Sequence, residues 1–371
     1  MSFNGTFPDT KLGFGLMRLP RTNGKIDVEQ VKAMADEFIS AGFTYFDTAY
    51  AYNGSEEAFR QAVVERYPRD AYTIASKLPV WLLDNKEQMP EAFDVSLRRL
   101  GVDFFDYYLL HDIQPARVKL LNDFGAWEFV NKMKAEGKIK HLGFSAHANP
   151  QMLDEVLTAH PEVDFVQLQI NYLDWESPVI LSRKNLEVVR KHNKPVIVME
   201  PVKGGLLANP ITAVKDVFAK SNPNATPSSF AIRFAASCEG VAMVLSGMSN
   251  MEQVKDNIST MKEFKPLTDD EQGVINVARN LLINPNTVPC TACRYCCDGC
   301  PQQINIPEIF KLYNELIQNG EHSNPHVYYG AVKDSGSAAA NECVECGQCE
   351  SVCPQHLHII QLLKQASAKL D

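Results

Sequence analysis

Two stretches near the C-terminus repeat one spacing, Cys-x2-Cys-x2-Cys-x3-Cys-Pro. The first runs Cys290, Cys293, Cys296, Cys300 and Pro301, the second Cys343, Cys346, Cys349, Cys353 and Pro354. Each copy puts three thiolates on one tight turn, the arrangement that wraps a cuboidal iron-sulfur cluster, and the fourth cysteine of such a run ligates a neighbouring cluster. Zinc is the competing reading, since paired Cys-x2-Cys also suits a tetrahedral site. A zinc ion would not need a third and fourth cysteine plus a proline in each run.

Over about its last quarter the chain thus resembles a bacterial two-cluster ferredoxin. The resemblance implies two [4Fe-4S] clusters, one held by Cys290, Cys293, Cys296 and Cys353, the other by Cys343, Cys346, Cys349 and Cys300. Cys297 is read as a spare thiol beside Cys296, and Cys238, in the apolar run from Phe234, as a core residue. Met1 to Lys11 carries no charged-then-apolar signal segment, so a cytoplasmic setting is expected, with thiols reduced and available to iron. No run approaches the ~20 apolar residues of a membrane span. The net charge of -9 divides into about -5 for residues 1–284 and about -4 for 285–371. Without a basic stripe no nucleic-acid partner is expected, whereas an acidic cluster module suits a basic redox partner protein.

The first 284 residues alternate short apolar runs with longer amphipathic ones. Eight candidate strands are Lys11–Arg18, Phe43–Ala49, Ala71–Lys77, Phe104–His111, Ile139–Ala146, Asp164–Asn171, Lys194–Pro201 and Val241–Gly247. Helices are expected over Asp27–Ala41 and Gly54–Tyr67, from Thr226-Pro227, and over Thr268–Leu282. Strict alternation argues for a parallel sheet, and eight repeats at this length fit a closed (β/α)8 TIM barrel, usually ~250 residues. The fold expected is α/β: a barrel over 1–284, a linker at Asn284-Pro285-Asn286, and a small α+β ferredoxin-like iron-sulfur domain over 285–371. Within that domain Ile306–Ile317 reads as a helix and Gly330–Ala340 as a loop.

Barrel chemistry sits at the C-terminal strand ends, which here carry Asp47, Lys77, His111, Ser145, Asn171 and Pro201. Around them stand Phe46-Asp47-Thr48-Ala49-Tyr50-Ala51-Tyr52, Ser55-Glu56, Ala75-Ser76-Lys77, Tyr108-Leu109-Leu110-His111 and Gly143-Phe144-Ser145, after an opening Gly13-Phe14-Gly15-Leu16-Met17-Arg18. In order and spacing these segments resemble the aldo/keto reductases over residues 8–283. With its tail the whole chain is similar to the iron-sulfur branch of that family.

The resemblance implies an oxidoreductase that delivers hydride to a carbonyl carbon and a proton to its oxygen, with Tyr52 as general acid. A free tyrosine's pKa of ~10 is too high for ready exchange; a cation lowers it, and Lys77 is implied as that cation. Asp47 is implied to hold Lys77, and His111 to orient the substrate oxygen. For NADPH or NADH the family pattern carries Met17 in the opening run, and Ser145 and Gln167 against the carboxamide. Ala146 stands where asparagine is common. Met199 replaces an aromatic ring on the nicotinamide face, and Pro201, Lys203 and Gly205 belong to a segment that would meet a pyrophosphate.

In NADPH-preferring relatives a Lys and an Arg clamp the 2'-phosphate; here Gly247 and Gln253 stand at those positions, within a segment that also carries Ser249 and Asn257. Hydride carriers pass two electrons and clusters one, so a flavin in the barrel mouth is the alternative that reconciles the modules. A nucleotide-sensing electron carrier with negligible turnover is the other alternative. Trp81 is a candidate wall for a small-molecule carbonyl or alcohol substrate. Whether the clusters carry electrons or only stabilise the fold is open.

Overall fold

The computed structural model describes residues 6–283, 286–319 and 324–371. Asn284 and Pro285 of the expected linker lie outside the described residues. The chain divides into two compact units, one of Met1–Val202 with Ala208–Arg279, the other of Lys203–Leu207 with Asn280–Asp371.

In the first unit eight parallel strands close into a barrel: β1 (Leu12–Gly15), β4 (Tyr45–Asp47), β5 (Thr73–Leu78), β6 (Phe105–Ile113), β7 (Ile139–Ala146), β8 (Phe165–Gln169), β9 (Val196–Met199) and β10 (Val241–Ser246). All eight expected strands are present, and β10 pairs with β1 to close the ring. The strands read as near-continuous apolar runs because helices cover one face and the barrel core the other. Tyr45, Ala75, Tyr107, Leu109, Phe165, Ile197, Met243 and Leu245 form the interior cluster, with Phe7 packed against it. Bulky residues fit there only because others are absent. A Cβ on Gly13 would stand 2.7 Å from Leu245, and one on Gly143 2.7 Å from the Phe165 ring.

The helices start where the sequence supplies caps. Asp27 accepts from Gln30 N ahead of Val28–Ser40, and Thr226 from Ser229 N ahead of Pro227–Ser237. The expected helix over Gly54–Tyr67 is two pieces, an α-helix Ser55–Phe59 followed by a π-helical turn Arg60–Val64. A hairpin of β2 (Arg21–Thr22) and β3 (Lys25–Ile26) was not expected. Its turn is Asn23-Gly24, both at positive φ, the sequence that the tight hairpin turn requires. Among the described residues no helix is long and apolar enough to cross a membrane.

The second unit is a duplicated fold. Short helices Tyr295–Asp298 and Gln348–Ser351 sit at matching points of the two cysteine runs, and longer helices Ile306–Asn319 and Ile359–Leu370 follow them. The backbone repeats as well. Ala292 matches Glu345, Arg294 matches Gly347 and Gln303 matches His356, all at positive φ. Cys300 N donates to Cys297 O as Cys353 N does to Glu350 O. The β component among the described residues is one parallel bridge, Ile304 to Ala338. The loop expected over Gly330–Ala340 needs correction, because Pro325–Asp334 is helical. Pro325 occupies the first turn, and the helix carries Tyr329 into the core, where its hydroxyl accepts from Ala340 N at 2.8 Å.

Candidate active site and cluster cavities

Asp47 ends β4, and Lys77 lies one residue from the end of β5. Both are buried, and Lys77 Nζ donates to Asp47 Oδ1 at 2.6 Å and to Thr48 O at 2.7 Å. Tyr52 lies in the loop after β4, fixed by turns in which Tyr52 N donates to Ala49 O and Ser55 N to Tyr52 O. The Lys77 ammonium is 4.9 Å from the centre of the Tyr52 ring. His111, on β6, stands edge-on to Tyr52 at 5.8 Å between centroids and to Trp81 at 4.9 Å. The structure therefore brings together the four residues proposed for proton transfer, with Trp81 beside them.

Electrostatics at this end follow from burial. Burial lowers the pKa of Lys77 and raises that of Asp47, and the attraction between the two opposes both shifts. His111 is held well below the ordinary histidine value, first by burial and then by Lys77, Arg117 and His147, so it is neutral at physiological pH. Its buried Nδ1 has no hydrogen-bond partner among the described residues.

Arg117 is a neighbour that sequence reasoning missed. It is buried on the helix Pro115–Asp123, stacks on Trp81 with its guanidinium carbon 3.6 Å from the ring centre, and pairs with Asp112. Asp112 itself has φ +61, a strained conformation immediately after His111.

The residues expected at a nicotinamide cofactor fare unevenly. Ser145 Oγ accepts from Asp112 N at 2.8 Å, and Gln167 Nε2 donates to Asp47 Oδ2 at 3.2 Å, tying both to the same strand ends. Met17 lies on a 3-10 turn, Leu16–Arg18, and Met199 ends β9, with Pro201 buried two residues on. Asn257 donates to Ser246 Oγ at 2.6 Å, and Ser249 N to Gln253 Oε1 at 2.7 Å. Ser249 Oγ donates to Arg18 O, and a Cβ on Gly247 would sit 3.5 Å from the Arg18 side chain. The aliphatic part of the Arg18 side chain thus lies beside the position where the expected clamp is missing. Lys203 and Gly205 fall in the second compact unit. Lys203 is buried there, and its Nζ donates to Gln355 Oε1 at 3.2 Å.

In the second unit two cavities carry the cysteines in crossed sets. One is lined by Cys290, Cys293, Cys296 and Cys353, the other by Cys343, Cys346, Cys349 and Cys300. Cys296, not Cys297, lines the first. Among the described residues no three such ligands converge tightly enough for one metal ion. Four cysteines around each cavity are the number and type of donors that a [4Fe-4S] cluster takes. Burial pushes the Cys349 thiol up to about 11 and raises that of Cys353. Both would lose a proton on ligating metal. Cys238, expected in the core, is only half-buried; it donates to Phe234 O, and burial pushes its thiol up to about 12.

Comparison with known proteins agrees with this geometry. Residues 11–279 match the family model of the aldo/keto reductase family, and residues 289–358 that of a 4Fe-4S dicluster domain. An aldo-keto reductase of Mycolicibacterium smegmatis is 27% identical over 279 residues, spanning 74% of this chain and 92% of the relative. The NADH-specific methylglyoxal reductase of Escherichia coli is 24% identical, over 68% of this chain and 90% of the relative. A crystal structure of an aldo/keto reductase from Klebsiella pneumoniae, in complex with NADP and acetate, superposes with a TM-score of 0.59 at 24% identity, covering 72% of this chain and 90% of that one.

Proposed function

The chain belongs to the aldo/keto reductase family, and on that premise we propose that its barrel reduces a small-molecule carbonyl, or oxidises the matching alcohol, with a nicotinamide cofactor. The observation that carries the reading is the buried Lys77, hydrogen-bonded to Asp47 and set under the Tyr52 ring, with neutral His111 edge-on to the same ring. A bound nicotinamide supplies the hydride. Tyr52 holds the proton that goes to the carbonyl oxygen, and the positive charge of Lys77 favours the phenolate left behind. Asp47, with Gln167 donating to its other oxygen, holds Lys77 in place. The unpartnered ring nitrogen of His111 gives a substrate oxygen a group to meet.

Ser145, Gln167, Met17, Met199 and Pro201 are proposed at the nicotinamide end. Gly247, Ser249, Gln253 and Asn257, with Arg18, are proposed at the adenosine end, where the helix Met251–Met261 begins. The NADH-specific reductase of Escherichia coli and the NADP complex from Klebsiella pneumoniae support NADH and NADP as the cofactor class. Residues 1–284 are proposed as the reductase domain and 285–371 as a domain holding two [4Fe-4S] clusters, ligated in the crossed sets that line the two cavities.

The test is Tyr52→Phe. Carbonyl reduction is expected to fall by about 10²–10⁴-fold, with nicotinamide affinity, read by fluorescence titration, unchanged. Activity equal to the unaltered protein would show that another group supplies the proton.

A further inference from the structure

Strand β6 does not run regularly to its end. From Leu110 to Ile113 it takes three steps while β7 takes two, from Phe144 to Ala146, so one extra residue stands in the ladder beside His111. A bulge next to a site re-aims the side chain that it carries. Asp112 holds this one at φ +61, in the left-handed region that strains a residue with a Cβ. A strained residue immediately after a site histidine needs support from its surroundings, and three contacts give it. Asp112 N donates to Ser145 Oγ at 2.8 Å, Gln114 Nε2 donates to Asp112 Oδ2 at 3.0 Å, and Arg117 Nη1 donates to the same oxygen.

Arg117 carries the connection further. Its guanidinium carbon lies 3.6 Å from the centre of the Trp81 ring, Trp81 stands edge-on to His111 at 4.9 Å, and His111 stands edge-on to Tyr52 at 5.8 Å. Asp112 thus reaches the imidazole twice, along the backbone and around through Arg117 and Trp81. The side chains of Arg117 and Asp112 are 7% and 3% exposed, so their pair is not of the solvated kind that contributes little. Arginine suits the place and lysine does not, because a flat guanidinium can lie against a ring while it donates to a carboxylate.

We infer that Asp112 and Arg117 form a clamp that positions His111 and Trp81 for the reaction at the barrel mouth. The inference rests on the proton-transfer reading of Tyr52, Lys77 and His111. Both members of the clamp are positioning residues, since each acts through another side chain. The Asp112 arm fixes the aim of His111 toward the reacting oxygen and so bears on kcat. The Arg117 arm fixes the Trp81 wall, which bears on how a substrate is held and so on KM.

The experiment follows reduction of 4-nitrobenzaldehyde by the full-length protein with NADPH and with NADH. Alongside it, acrylamide quenching of fluorescence is read in a Trp127→Phe/Trp175→Phe background, which leaves Trp81 as the one tryptophan of the chain. The double variant Asp112→Gly/Arg117→Met removes both charges of the pair together and puts at the bulge a residue that takes a positive φ without strain. Its kcat is expected to fall about 10²-fold, the cost of a small misplacement at a reacting centre, and Trp81 to become more open to quenching. Asp112→Asn keeps an oxygen for Arg117 and tolerates the same φ, so it retains kcat. Arg117→Lys keeps a cation for Asp112 but gives up the stack, so KM rises several-fold with kcat kept. A kcat retained in the double variant would show that the pair only props up the backbone, and overturns the inference, as does unchanged quenching of Trp81. If the double variant does not fold, Arg117→Lys decides, and an unmoved KM there overturns the inference. Failure of the proton-transfer reading looks different: Tyr52→Phe in the same assay is then as active as the unaltered protein, and quenching of Trp81 alone decides whether the clamp exists.

Discussion

In the barrel the interior is filled by hydrocarbon and aromatic side chains, and its charged pair, Lys77 with Asp47, is satisfied within the protein. In the second unit the core includes the thiols Cys296, Cys349 and Cys353 among Ile304, Ile309, Phe310, Tyr313 and Leu363. Its cysteine turns also carry Ala292, Arg294, Gln303, Glu345 and His356 in the left-handed region. Each such residue costs about 1–2 kcal/mol. The barrel's own left-handed strand-end residues are Asp112 and Glu200. One unit is closed by apolar packing; the other holds strained turns around cavities that thiols line. Strain placed where thiols converge makes it testable whether metal-sulfur bonds or packing hold these turns.

The sharpest way to break this contrast is to remove the metal. Stripping iron from the full chain with a chelator is expected to leave the barrel folded and the cysteine turns open, because metal binding is worth on the order of 10 kcal/mol in small metal-dependent folds. Hydrogen exchange read by mass spectrometry checks it. Amides of residues 290–303 and 343–356 should lose protection, while those of β6 keep theirs. Simultaneous loss in both units would mean that the barrel also depends on the clusters.

A second test asks whether the barrel's charged pair is as self-contained as its geometry implies. Lys77→Met leaves Asp47 buried without its cation and should destabilise the barrel by about 3–5 kcal/mol, read as a shift in the urea midpoint of strand signals. Adding Asp47→Leu should recover much of that stability and none of the activity, since two apolar groups can replace a buried pair but cannot tune a tyrosine. Recovery of activity in the double variant would remove both residues from the proton-transfer proposal.

The two units also differ in how far they could be read in advance. The cysteine runs were legible because ligand spacing is local, whereas the crossing of the fourth cysteine was implied only by the resemblance to ferredoxins. The strands were legible because a parallel barrel buries both faces and leaves long apolar runs. Tyr52, Lys77 and His111 lie on or after different strands, so only the family resemblance brought them together. Arg117 and Arg18 were missed because each reaches its neighbours through packing between distant segments. Lys203 was hard to place for a related reason. Its Lys-Gly-Gly turn reads equally well as a phosphate loop, and only the contact with Thr291 and Gln355 shows where it goes.

The misread stretch at Gly330 offers the smallest effect. Small and polar residues read as a loop, yet Pro325–Asp334 is helical and carries Tyr329 into the core. Gly330 has a negative φ, and a Cβ there meets nothing within 4 Å. Gly330→Ala therefore removes freedom only from the unfolded chain and should stabilise the cluster-loaded second unit by about 0.5–1 kcal/mol, measured by urea unfolding under anaerobic conditions. The same substitution should leave the barrel's transition where it was. A loss of stability would instead indicate that this segment is not helical in solution, and would return part of the second unit's order to the metal rather than to packing.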